Sequence, residues 1–146
     1  MTDCVICDLL SGELEVSLVH RDELCAVVMD IQPINPGHML VVPIRHSSRL
    51  AELQPQEVAQ IFRVAQRLGE GLRKSSVKCE GVNLILADGE AAGQEIFHTH
   101  LHVVPRYPGD GFGFEFPTRY HNRPERSELD SLASKIRTLL QSIPNS

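Results

Sequence analysis

Apolar and polar positions change period along this chain, and each change marks an element. Val16–His20 and Cys25–Met29 read as two strands around a turn at Arg21-Asp22-Glu23. Pro33, Pro36 and Gly37 break the chain into a loop. Met39–Pro43 is a short apolar strand, and Val82–Ala87 another that runs into Asp88-Gly89. Over residues 97–104, His98, His100 and His102 alternate with Thr99, Leu101 and Val103. That is strand period, which places the three imidazoles on one face, and Pro105 is expected to end the strand.

Two stretches show helical spacing instead. Leu53–Arg73 carries Val58, Ile61, Phe62, Ala65 and Leu68 on one side. Glu128–Ile143 carries Leu129, Leu132, Ile136, Leu139, Leu140 and Ile143, and reads as a closing helix. Residues 4–10 read as a short helical turn. Strands joined by turns with one long helix inserted predict an α+β domain of about five antiparallel strands, with a C-terminal helix. At 146 residues the chain suffices for one domain, 1–146, but not for two.

The net charge is −5, and no basic run exceeds Arg73-Lys74. This argues against a surface that tracks nucleic acid, which needs clustered Lys and Arg. It leaves room for a small nucleotide. There is no positive n-region at the start and no apolar run long enough to span a membrane, so a cytoplasmic protein without a membrane partner is expected.

A disulfide framework is not expected of the four cysteines in a reducing compartment. Cys25 and Cys79 read as buried small hydrophobes. Cys4 and Cys7 form a C-x-x-C pair, half of a tetrahedral zinc site. The rivals are a redox pair, which lacks a surrounding βαβ pattern, and two free thiols.

The histidine row itself looks like a site, because packing rarely explains three aligned imidazoles. It is not a three-histidine zinc site. Positions i and i+4 on a strand lie about 13 Å apart, whereas each ligand nitrogen must sit about 2.0–2.1 Å from zinc. The three histidines must therefore have separate jobs.

His98-Thr99-His100-Leu101-His102-Val103-Val104 resembles the signature of the histidine triad (HIT) family of nucleotide hydrolases and transferases. The preceding Asp88-Gly89-Glu90-Ala91-Ala92-Gly93-Gln94 resembles that family's approach loop. Cys4-Val5-Ile6-Cys7, Asp30-Ile31-Gln32-Pro33, Pro36-Gly37-His38 and Val41-Val42-Pro43 through His46 match its N-terminal half in order and spacing. Arg106-Tyr107 through Gly111-Phe112-Gly113 resembles the tail of many bacterial members. The likeness covers a core of residues 4–114 and leaves 115–146 as an extension.

The resemblance implies a homodimer and a purine nucleotide substrate. His100 would be the nucleophile on the α-phosphorus, and His102 a donor to phosphate oxygens or to the bridging atom. A histidine at 102, where uridylyltransferase-like members carry glutamine, points to the hydrolase branches. His46 and His98 would complete zinc with Cys4 and Cys7. Asp30 would accept the ribose hydroxyls. Val5, Ile6, Leu9 and Ile31 would form an apolar slot for the base. Gly93 would let backbone approach the phosphate, and Gln94 would present its amide to it.

Two positions depart from the family pattern. Ala87 stands where a phosphate-reaching Asn or Gln is usual, and Glu95 where Ser or Thr is usual. An anion about 4 Å from phosphate costs about 4 kcal/mol at an effective dielectric near 20. Four readings follow: a phosphoramidate or nucleotidyl ester hydrolase, a dinucleoside polyphosphate hydrolase, a catalytically weak nucleotide-binding scaffold, and a zinc-structural partner-binding protein.

Overall fold

In the computed structural model, which describes residues 3–144, five strands form one sheet in the order β1-β2-β3-β5-β4. They are β1 Leu18–Arg21, β2 Cys25–Met29, β3 Met39–Pro43, β4 Gly81–Ile85 and β5 Leu101–Arg106, and every neighbouring pair is antiparallel. Helix α1 spans Val5–Ser11, α2 Pro55–Lys74 and α3 Arg126–Ser142.

Helix α2 starts where its sequence says it should. Gln54 and Glu57 form a reciprocal capping box, and Pro55 occupies the first turn, where its missing N–H costs nothing. Its inner face packs Ile61, Val64, Ala65 and Leu72 against Val27, Val41, Leu101 and Val103 of the sheet. Phe62, expected on that face, is instead 45% exposed. The opposite sheet face buries Ala26 and Val42 beneath Ile6 of α1. Alternation along β2 and β3 thus sends neighbouring residues into different clusters.

The histidine strand differs from expectation at both ends. His98 and His100 precede β5, and Pro105 lies inside it, paired with Val82. Pairing of β5 with β3 stops at Met39↔Val103, so only the β4 side is laddered at Pro105. A missing N–H is tolerated beside that open flank.

The chain divides into two compact units after Gly111. The second contains a 3-10 turn at Thr118–His121 and α3, which opens on a Glu125/Glu128 capping box. The helix forms as its periodicity predicts, but it buries none of its residues: Leu129, Leu132, Ile136, Leu139 and Leu140 are all exposed, as is Ile143 just past its end. Among the described residues, no helix is long and apolar enough to cross a membrane.

Candidate functional site: a metal-ligand quartet beside a histidine relay

The start of α1 places Cys4 and Cys7 one helical turn apart. His46 reaches them from the loop after β3, and His98 from the approach to β5. His98 is fully buried, and its Nε2–H donates to the Pro43 carbonyl at 2.9 Å. Because a carbonyl can only accept, the proton sits on Nε2 and Nδ1 is bare. That bare nitrogen lies 3.5 Å from Cys4 Sγ and 3.6 Å from Cys7 Sγ, while His46 Nδ1 lies 3.4 Å from Cys7 Sγ.

Zinc–ligand lengths of about 2.3 Å to sulfur and 2.0–2.1 Å to nitrogen give a tetrahedral S···N edge of about 3.6 Å. The four donors, all within 4.8 Å of one another, therefore fit a tetrahedral cation. Burial, and after it the neighbouring Cys4, push the Cys7 thiol up to about 11. A cation must therefore displace protons to bind. Burial lowers His98 from the usual imidazole range, which favours the neutral ligand form.

The next histidine is oriented by the first. His100 Nδ1–H donates to the His98 carbonyl at 2.7 Å, which leaves the Nε2 lone pair free. The ring is buried, and its centroid stands 5.0 Å from that of His102.

His102 takes its tautomer from a residue to which sequence reasoning gave no role. The Ile34 N–H donates to His38 Nδ1 at 3.1 Å, so the proton of His38 must sit on Nε2. That Nε2–H donates to His102 Nδ1 at 2.9 Å, which makes the outer Nε2 of His102 a donor. Asp30 Oδ2 flanks the pair, 3.5 Å from His38 Nε2 and 3.9 Å from His102 Nδ1. The donor atoms of Asp30, His38 and His102 also lie within 4.8 Å of one another. The Ile34 bond holds the His38 proton on the inner nitrogen, so this group is a hydrogen-bonded relay rather than a seat for a cation. Burial, then the adjacent His100 and His38, push His102 down to about 4 against the pull of Asp30. His102 is therefore a neutral donor at neutral pH.

The signal for His38 was Pro36-Gly37-His38 itself. Gly37 adopts φ 93°, and a Cβ there would meet Val77 Cγ1 at 2.9 Å. Only glycine permits that turn, which delivers His38 to the head of β3.

The remaining expected site residues divide. Asp30 follows β2 and accepts the Gln32 N–H on Oδ1 at 2.8 Å, leaving Oδ2 toward the relay. Ile31 is 95% exposed and Val5 is exposed, whereas Leu9 is half-buried. Ile6 is core, packed with Ala26 and Val42, so it can only back an apolar slot from beneath. Gly93 adopts φ 88° and has open space where a Cβ would stand.

Gln94 departs from its expected role. Its side-chain oxygen accepts the Gly89 N–H at 2.7 Å, and its amide donates to the carbonyls of Ser48 at 2.7 Å and Ile96 at 3.1 Å. Buried with both amide hydrogens committed, it braces the loop and has none left for phosphate. Ala87 is half-buried and offers no side-chain donor. Glu95 is exposed and lines a cavity of about 610 Å³ with Val5, His46, Ser48, Ile96 and Phe97.

Comparison with known proteins places this geometry. The HIT domain family matches residues 11–109. The adenylylsulfatase HINT3 of Arabidopsis thaliana is 32% identical over 142 residues, which cover 97% of this chain and 72% of that protein. The crystal structure of a HIT family protein from Bacillus anthracis superposes with a TM-score of 0.85 at 31% identity, covering 97% of this chain and 98% of that one. A Zn-bound histidine triad family protein from Mycobacterium smegmatis superposes with a TM-score of 0.73 at 36% identity, covering 96% of each chain. The chain therefore belongs to the HIT domain family.

Proposed function

We propose that this protein is a nucleotide hydrolase that works through a nucleotidyl-His100 intermediate on nucleoside phosphoramidates or nucleotidyl esters. The observation that carries the reading is the 2.7 Å bond from His100 Nδ1–H to the His98 carbonyl, which puts a proton on Nδ1 and leaves Nε2 as the attacking atom. In the first step Nε2 attacks the α-phosphorus. The P–N or P–O bond to the leaving group breaks, and that group departs with the electron pair and takes a proton from solvent. In the second step water attacks phosphorus, the N–P bond breaks, and a proton leaves to solvent, restoring neutral His100. His102 Nε2–H donates to a phosphate oxygen or to the bridging atom, held in that tautomer by His38.

Asp30 Oδ2 accepts the ribose hydroxyls. Val5, Leu9 and Ile31 offer the purine an apolar slot backed by Ile6, and backbone at Gly93 approaches the phosphate. Cys4, Cys7, His46 and His98 hold a structural zinc, which ties α1 to the start of the triad. The Zn-bound mycobacterial neighbour supports that assignment, and the relative named as an adenylylsulfatase supports a nucleotidyl substrate. The chain would act as a homodimer, a reading supported by the exposed Leu84 on the edge strand β4.

Ala87 and Glu95 favour a second reading, a nucleotide-binding scaffold with little turnover. Quenched-turnover mass spectrometry separates the two, using a panel of adenosine and guanosine phosphoramidates and dinucleotides. A nucleotidyl adduct on His100 that is absent from His100→Asn supports the hydrolase. Binding of AMP without any adduct supports the scaffold. The panel member that leaves the adduct also separates a phosphoramidate from a dinucleoside polyphosphate substrate.

A further inference from the structure

We propose that Asn35 and Asp110 form a clamp that positions His38 and, through it, holds His102 in its donor tautomer. This inference rests on the role that the hydrolase reading gives to His102.

Strand pairing does not reach His38, because the register of β3 with β5 stops at Met39↔Val103. Something else must hold the head of β3 against the strand that carries His102. The buried side chain of Asn35 spans that gap. Its amide nitrogen donates one hydrogen to the Pro105 carbonyl of β5 at 2.9 Å and the other to Asp110 Oδ2 at 2.8 Å. Both partners can only accept, which fixes the orientation of the amide. Asn35 is also the first residue of the turn that delivers His38. The His38 N–H donates to the Asn35 carbonyl at 3.0 Å, with Pro36 and Gly37 at the two centres of the turn. The adjacent Ile34 supplies the N–H that keeps His38 Nδ1 bare. A shift of Asn35 therefore disturbs both bonds that seat His38.

Asp110 anchors the clamp. Its side chain is 3% exposed, and a carboxylate so placed is costly unless its oxygens are paired. Arg106 grips both oxygens, and the same guanidinium donates to Asn83 of β4. Asp110 is thus fixed to the end of β5 and to its neighbour strand. A turn that merely ended β5 would be served by the Arg106–Asp110 pair alone. The further bond to Asn35 ties that turn to the loop of the relay.

The test uses the full chain and two variants, Asp110→Asn and Asn35→Ser. Each should lower kcat for an adenosine phosphoramidate by about tenfold, the low end for a group that orients another, with KM near its wild-type value. Neither should lower kcat further in a His38→Gln background, since a clamp that acts through His38 has nothing left there to position. Imidazole nitrogen NMR spectra of the free protein supply a readout that needs no turnover. Wild-type His38 should show a protonated Nε2 and a bare Nδ1, and in both variants the two resonances should move toward each other as the tautomers mix. Where one variant alone folds, that variant decides. Unchanged His38 resonances, losses of kcat that add to that of His38→Gln, or failure of both variants to fold overturn the clamp. A wild type that turns nothing over, with His38 resonances that still shift in the variants, overturns the hydrolase reading and leaves the clamp on His38 standing.

Discussion

The His98 carbonyl accepts a hydrogen bond from His100 Nδ1 at 2.7 Å, while the ring of the same His98 turns its bare Nδ1 to Cys4 and Cys7. One residue thus joins the Cys4–Cys7–His46 cluster through its ring and fixes the tautomer of His100 through its backbone. Damage to the quartet should therefore reach the chemistry without touching the substrate.

Replacing His100 by Asn removes the attacking nitrogen. Turnover of an adenosine phosphoramidate should fall about a thousandfold or more. AMP affinity, measured by calorimetry, should change little, since Asp30 and the apolar slot remain.

His38 acts through His102. His38→Gln keeps an amide but loses the imidazole that accepts the Ile34 N–H and donates its Nε2–H to His102. A fall in kcat of about 10- to 100-fold is expected, as for other groups that orient a reacting one. KM for the nucleotide should move far less. Equal losses in both constants would argue against an orienting role.

His102 gives stability a pH dependence of known sign. Its folded pKa is pushed to about 4, below the usual imidazole value, so the unfolded chain binds the extra proton first. Stability is full above about pH 6.5 and falls as the pH drops toward 4, by on the order of 3 kcal/mol in total. Urea titrations across that range should show this loss, and His102→Gln should reduce it, the buried His98 and His38 keeping a dependence of the same sign.

The quartet should hold one zinc per chain by elemental analysis. Cys4→Ser with Cys7→Ser should abolish it and lower Tm by about 5 °C or more. Strong chelators should reproduce the shift in the wild type but not in the double variant.

Glu95→Ser combined with Ala87→Asn restores two side chains able to donate near phosphate. For a substrate with a neutral leaving group, kcat/KM should rise. No gain would mean that these positions do not limit phosphate binding.

Much of this was legible from residue order. Strand and helix positions follow from periods of about two and 3.6, which arise from local backbone geometry and need no knowledge of distant neighbours. The C-x-x-C pair announced two adjacent thiols, because one helical turn brings them together. In keeping with the spacing argument, His98 lies with Cys4 and Cys7 and His102 with His38 and Asp30. The strand reading erred at Pro105, because whether a strand tolerates proline depends on which flank is still laddered, a fact about β3.

The sequence by itself determined most of the elements and the histidine alternation. Tertiary structure decided which nitrogen of His98 and of His102 carries its proton, whereas for His100 a carbonyl two residues back on the same segment makes the choice. For the other two it is made by a carbonyl or N–H about 3 Å away on another segment, Pro43 for His98 and Ile34, acting through His38, for His102. It likewise turned Gln94 into its own loop and left Glu95 facing open space. Periodicity is a property of neighbours along the chain, whereas hydrogen-bond partnership is a property of neighbours in space.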